Sequence, residues 1–391
     1  MNSLKLFLNF KGKDYYIGDI YYTSGIFSFE CSSEYIENPN LPIIDPLIKK
    51  YFGRQYPDEL SFGFIEDMIP DRFGKRLIDI EEKSNRKLNS FDYLVRVNDL
   101  SRMGALRVKE AIDGPFINEK KDAIPPYIYL RDIEQASYEL EKEETIKDEL
   151  FRKLLLPGSS LGGARPKSNI YFNDEVYIAK FPSKGDDYDV ELLEYITLRI
   201  AKLCGINVPD CNAQKLSKNG YTLLVKRFDR DGNNRIHYLS GVTALATNDG
   251  RSDLYSYLDL VNFIRSNGVN VKEDLKELYR RIIFTYLINN TDNHLRNHAF
   301  IMEEKGYKLS PMFDVNPSLF EGDFALSFGL KDNKEGIIEI AEYFSYTKIE
   351  ANDLLKKEAD IILKELDNYK SQYNEISKQI ETIQNIIKTR L

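Results

Sequence analysis

Residues 288–302 read INNTDNHLRNHAFIM. This stretch decides the fold because it interrupts two core-forming segments. Ahead of it, Leu275, Leu278, Tyr279, Ile282, Ile283, Tyr286 and Leu287 recur at i, i+3, i+4, i+7, i+8, i+11 and i+12. That is one apolar face at the helical period, and it predicts a core helix ending just before Ile288. Behind it, HAFIM, EEKG and YKLS read as a short hairpin with Glu304, Lys305 and Gly306 at its turn. Four asparagines, an aspartate and two histidines lie in the stretch itself. Polar side chains cost free energy in an interior unless they are paired or used. The stretch is therefore an ordinary polar loop or a chemical site, and the rest of the chain must decide.

The chain has 391 residues, enough for two or three domains, and a hydrophobic content of 42% supports a sizeable core. Its net charge of −8 argues against broad nucleic-acid binding, which needs excess positive charge. Three cysteines, Cys31, Cys204 and Cys211, match neither a disulfide framework nor a metal-ligand spacing, which favours a reducing cytoplasm. The first residues, MNSLKLFLNFKGKDYYIG, do not read as a signal peptide, and no run of 18 apolar residues suggests a membrane span.

Residues 4–30 alternate between β-prone runs, punctuated by Lys11-Gly12 and Ser24-Gly25, as in a meander. SRMGALRV at 101–108 reads as a strand entry, so a small accessory domain is placed at 1–108. Pro115, Pro125 and Pro126 mark a linker, and an acidic helix follows around 130–155. The segment 109–238 then reads as an α+β lobe. From 239 to 391 helical patterns dominate, ending in one or two amphipathic helices.

Four polar features appear in a telling order. First comes PGSSLGGARPKSN (157–169), whose small residues allow close approach of backbone N–H groups to a phosphate. It is not a Walker A loop, because Pro166 occupies the place of the second glycine. Second is the hairpin NIYF-NDE-VYIAKF, which sets Lys180 on a face with Val176 and Ile178. A helix carrying Glu191 and Glu194 follows, and a strand lysine with a helix glutamate is how protein kinases hold ATP phosphates. Third, Asp292 and Asn297 form DxxxxN, the kinase spacing of a base and a magnesium-ligating amide. Fourth, Asp314 leaves an apolar strand in LSPMFDVNPS, and the intervening hairpin returns the chain toward Asn297. Hard oxygen donors with phosphates as partners suit Mg2+. Each feature occurs by chance, but the ordered series is that of a kinase.

The pieces SSLGGARPK, AKFP, LLVKRFDR, NNTDNHLRNHAF and LSPMFDVNPS resemble those of HipA-type serine/threonine kinases, the toxins of bacterial type II toxin–antitoxin systems. The resemblance covers most of the chain and extends to GALRV in the N-terminal part. It implies an α+β, two-lobed protein-kinase-like fold with a β-rich N-terminal subdomain, an ATP-binding lobe and a helical catalytic lobe. It implies Asp292 as catalytic base, Asn297 and Asp314 as Mg2+ ligands, and ATP binding by Lys180, Glu194 and the loop residues Ser160, Gly162, Gly163 and Lys167. It further implies Lys226 and Phe228 as the adenine-holding hinge, and Ser160, or its neighbour Ser159, as an autophosphorylation site that silences the enzyme; His294, read on its own residues, braces the catalytic loop by hydrogen bonds. The implied partners are a protein substrate, such as an aminoacyl-tRNA synthetase or another translation factor, and a HipB-like helix-turn-helix antitoxin. DNA is reached only through that antitoxin, and a membrane is not involved. The implied setting is the bacterial cytoplasm.

Plainer readings stand beside these. His294 and His298 have helical metal-ligand spacing, but the zinc motif HExxH needs a glutamate where Leu295 stands. His298 reads as the start of a strand, and Asn289 and Asn290 as turn residues. Asp229 and Arg230 read as part of a solvated turn before Asp231-Gly232. The competing functions are an ATP-binding, non-catalytic scaffold or co-repressor, and a small-molecule phosphotransferase.

Overall fold

The computed structural model describes residues 2–82, 86–120, 123–142, 165–232 and 234–391. The chain forms two compact units. The first comprises Met1–Gly185 and Ala213–Leu239, the second Asp186–Asn212 and Ser240–Leu391.

The first unit opens with the meander read from the sequence. Strands β1 (Asn2–Phe10), β2 (Lys13–Thr23), β3 (Ile26–Cys31), β4 (Arg54–Gln55) and β5 (Leu106–Lys109) form one antiparallel sheet in the order β4-β3-β2-β1-β5. Lys11-Gly12 and Ser24-Gly25 both hold positive φ at each central position, the backbone of a type I′ hairpin turn. That turn matches the right-handed twist of its strands, which is why a Gly ends each pair. Leu4, Leu6 and Leu8 of β1 alternate into a core with Ile17, Ile20, Phe27 and Phe29. The strand entry at GALRV is β5, with Leu106 opposite Leu8.

A second antiparallel sheet in this unit contains β6 (Lys167–Phe172), β7 (Glu175–Lys180) and β8 (Thr222–Lys226). Asn173 and Asp174 turn the β6–β7 hairpin, again both at positive φ. Ala179 and Phe181 face a core containing Ile170, Leu224 and Ile133 of the helix Leu130–Lys142, so Lys180 stands on the opposite face.

In the second unit, helix α1 (Val190–Leu203) begins at Asp189, whose carboxylate caps Leu192 N at 3.0 Å. Helix α2 (Tyr257–Asn267) starts with a capping box between Ser256 and Asp259. Helix α3 (Val271–Leu287) is the amphipathic helix counted above, and every residue of its apolar face is buried. Strands β9 (Ala299–Glu303) and β10 (Gly306–Leu309) form the expected hairpin. Two C-terminal helices, α4 (Lys348–Gln372) and α5 (Ser377–Arg390), complete the unit.

Candidate active site

The second unit holds Asp292 and Asn297 in one compact loop, with Asp314 beyond the hairpin that follows. α3 ends at Leu287, and Asn289 takes a left-handed φ of 58°, which turns the chain out of the helix. A compact loop follows: His294 N donates to Asp292 O at 2.9 Å, and Asn297 N donates to His294 O at 2.9 Å. The Asn297 side chain folds back within it, Nδ2 donating to Asp292 O at 3.1 Å. With its nitrogen so used, Asn297 has Oδ1 as its remaining donor for a cation.

The β9–β10 hairpin links this loop to the segment carrying Asp314. Ser310 N donates to Ala299 O at 2.9 Å, extending the ladder past β10. Asn297 thus lies two residues before one strand end and Asp314 four residues beyond its partner. Asp314 itself has φ 53°, a left-handed conformation that costs a non-glycine residue about 1 kcal/mol. Aspartate is among the residues that tolerate it best. On the following residue, Val315 O accepts a hydrogen bond from Thr197 Oγ1 of α1 at 2.6 Å. Glu194 lies one turn earlier on the same helix, and both it and Glu191 are buried. Asp292 is exposed and Asp314 half-buried. Among the described residues, no three His, Cys, Asp or Glu side chains cluster as a metal site. A cation held by one amide and one carboxylate needs further oxygen ligands, as Mg2+ does when it keeps water and substrate phosphates.

Sequence reasoning missed what holds this loop. Asn293 is buried, and its Nδ2 donates to Tyr257 Oη at 2.8 Å and Thr285 Oγ1 at 3.2 Å. Asn289 Nδ2 donates to the carbonyls of Ser318 and Phe320, each at 2.9 Å, and its Oδ1 accepts from Arg390 Nη2 at 2.5 Å. Gly241 N donates to His298 O at 2.7 Å, and a Cβ there would lie 2.5 Å from Leu295 O, so only glycine fits without a shift. Arg281, on α3 but outside the counted face, is buried with Nη2 on Ser310 O at 2.6 Å. His294 supports the loop through its backbone, while its ring Nδ1 is buried without a hydrogen-bond partner. His298 directly precedes β9, packs edge-on against Tyr257 at 5.1 Å, and is held neutral by burial, its pKa lowered to about 3.

In the first unit, strand register sets Lys167 directly opposite Lys180. Lys226 ends β8 opposite Tyr177, with Nζ 2.9 Å from Glu175 Oε1, and Phe228 packs on Tyr238 at 6.2 Å between ring centroids. Asp229 is not a solvated-turn residue: it is 1% exposed. It accepts from Arg227 Nη2 at 2.6 Å, Arg230 Nη1 at 2.7 Å and Gly104 N at 2.7 Å. The turn lies just beyond, at Gly232. Ser159, Ser160, Gly162 and Gly163 fall outside the described residues.

Residues 159–377 match the model of the HipA-like C-terminal domain. A protein of Haemophilus influenzae named "Putative kinase" is 29% identical over 215 residues, covering 48% of this chain and 62% of that protein. "Putative kinase Y4dM" of Sinorhizobium fredii is 26% identical over 177 residues, covering 41% of this chain and 39% of its own. The chain thus spans less than two thirds of these relatives. In fold it is similar to HipA of Shewanella oneidensis MR-1, from a complex with HipB and operator DNA, at a TM-score of 0.71 and 18% identity over 99% of this chain and 97% of that one. The matched domain covers more than half of the sequence, and it contains Lys180, Asp292, Asn297 and Asp314. The chain belongs to the HipA-like family.

Proposed function

We propose that this protein is an ATP-dependent serine/threonine protein kinase. The observation that carries the reading is the hairpin β9–β10, which returns Asp314 toward Asn297 and Asp292 within one unit. Phosphoryl transfer asks little covalent chemistry of a protein; positioning and electrostatics do nearly all of it. Asp292, exposed at the loop, orients the substrate hydroxyl and takes its proton as the bond to phosphorus forms. Asn297 Oδ1 and the Asp314 carboxylate would hold Mg2+, which supplies neutralisation of the phosphate charge.

The family pattern assigns Lys167 and Lys180 to the phosphates of ATP, and the segment at Lys226 and Phe228 to adenine. Glu194 is assigned to nucleotide binding with them. Ser160, or Ser159, is the proposed site of self-modification. A phosphoserine carries about −1.5 to −2 charges, and would repel ATP phosphates from a loop built to receive them. The complex of S. oneidensis HipA with HipB and operator DNA supports a HipB-like antitoxin as partner, with DNA reached through it. No helix among the described residues is long and apolar enough to cross a membrane.

Transfer of γ-labelled phosphate from ATP to protein in a bacterial lysate tests the reading. Asp314→Ala and Asn297→Ala lose transfer while melting like wild type, and raised Mg2+ restores part of the Asn297→Ala activity. Wild-type rates in Asp314→Ala reject the assignment.

A further inference from the structure

The loop after Asp314 is fastened to the catalytic loop at both ends. Ser318 N donates to Asn289 O at 2.8 Å, and Ala325 N donates to Thr291 O at 2.8 Å. Between these anchors the chain holds Phe320 up to solvent at 80% exposure, followed by exposed Glu321, Gly322 and Asp323. On the other side, Leu295 N donates to Ser252 Oγ at 3.0 Å. That bond fixes a short helical turn, Ser252–Leu254, on which Asp253 is exposed and Leu254 is 70% exposed. A parallel bridge between Ser256 and Ser327 joins the two flanking segments.

Asp292 lies between the two anchor points, three residues after Asn289 and three before Leu295. A single exposed apolar side chain needs no explanation. Here two of them are each presented by a segment hydrogen-bonded to the loop that carries one exposed carboxylate. The charge of the rim is one-sided as well. Asp253, Glu321, Asp323 and Asp292 are all exposed, Glu321 acts on the half-buried Arg390, and nearby Arg296 is paired with Asp249 at 2.8 Å.

We infer that Leu254 and Phe320, with Asp253, Glu321 and Asp323, form a docking rim for an extended polypeptide segment whose Ser or Thr is flanked by apolar and basic residues. This deepens the kinase reading and rests on it. A small phosphate acceptor would reach Asp292 without touching either apolar residue. A flexible peptide gains from both, because apolar burial supplies affinity and opposite charge supplies register. The rim residues are specificity determinants and take no part in the chemistry.

The test uses the full chain, γ-labelled ATP and degenerate peptide libraries with one fixed Ser or Thr. Wild type is expected to select Lys or Arg and an apolar residue near the hydroxyl. Phe320→Ser and Leu254→Ser each raise KM for the selected peptide about tenfold, with kcat and KM for ATP held within about twofold. Asp323→Lys weakens the preference for basic peptides. Exposed substitutions of this kind leave folding intact, and the unchanged KM for ATP confirms it. ATP turnover without peptide selection, or an unchanged peptide KM in both serine variants, overturns the rim alone. ATP turnover absent in wild type, or equal in wild type and Asp292→Asn, overturns the kinase reading beneath it.

Discussion

Asp229 in the first unit and Asp292 in the second both stand in polar loops a few residues beyond a core element, and their surroundings differ at every point. Asp229 is buried, and every strong contact it makes is to the protein: two guanidiniums and a backbone N–H. Arg227 and Arg230 spread the same network onto the carbonyls of Ser101, Arg102 and Gly104 and onto Asn169 Oδ1. Nearby, Asp99 is held by Arg107 at 2.6 Å and Arg235 at 2.7 Å. The arginines hold Asp229 well below the usual carboxylate range despite burial that pushes it upward. Asp292 is exposed, and the loop around it is held by the backbone and by asparagines. One carboxylate is consumed by the fold; the other is exposed. Buried ion pairs fix structure, whereas an available carboxylate on a rigid loop serves chemistry.

The comparison breaks most visibly if Asp229 is altered. Asp229→Ala leaves two buried guanidiniums without their counter-ion and is expected to destabilise the first unit by about 3–5 kcal/mol, read by urea unfolding. A loss below about 1 kcal/mol would mean the network matters little to the fold. By contrast, Asp292→Asn is expected to leave the unfolding midpoint unchanged.

A smaller effect sharpens the contrast through pH. His298, buried beside the catalytic loop, has its pKa lowered from 6.5 to about 3. The unfolded chain therefore takes up a proton below pH 6.5 that the folded chain refuses. Stability from this group is full above pH 6.5 and falls by about 1.4 kcal/mol per pH unit as pH drops toward 3. Asp274, raised from 3.8 to about 6 by burial although it accepts from Leu309 N, runs the other way. Its ionisation costs stability as pH rises from 3.8 to 6. Subtracting a His298→Gln titration of unfolding free energy from that of wild type isolates the histidine. A flat difference between pH 6.5 and 4 would contradict its neutral burial.

The smallest effect is at Arg390. It donates to Tyr286 O and Asn289 Oδ1 and lies over the rings of Tyr286 at 4.8 Å and Phe324 at 5.4 Å. Arg390→Ala is expected to lower the melting free energy by about 1–2 kcal/mol, because Asn289 loses a charged partner. The catalytic loop loosens with it, so kcat falls several-fold while KM for ATP holds. Unaltered kcat would show that Asn289 is fixed by the carbonyls of Ser318 and Phe320 alone.

What was legible in the sequence was local. The positive-φ turns at Lys11-Gly12, Ser24-Gly25 and Asn173-Asp174, the apolar face of α3, and the β9–β10 hairpin all follow from neighbouring residues. The DxxxxN spacing was legible for the same reason. What escaped was set by distant partners. Asp229 meets Gly104, and Arg281 meets Ser310, through folding that no spacing encodes. A composition rule sends Asp-Arg-Asp-Gly to the surface, and the rule was right for the Gly232 turn but wrong for Asp229, three residues earlier. Gly241 looks like any turn glycine until Leu295 O and His298 are set against it.

The central claim is that Asp292 acts in phosphate transfer and contributes nothing to holding the nucleotide or the fold. Measuring ATP affinity and single-turnover transfer side by side in wild type and Asp292→Asn tests it most directly. The account predicts ATP binding within about twofold of wild type, the same melting temperature, and transfer reduced by about a thousandfold or more. Transfer at the wild-type rate, or its loss together with ATP binding, would contradict it.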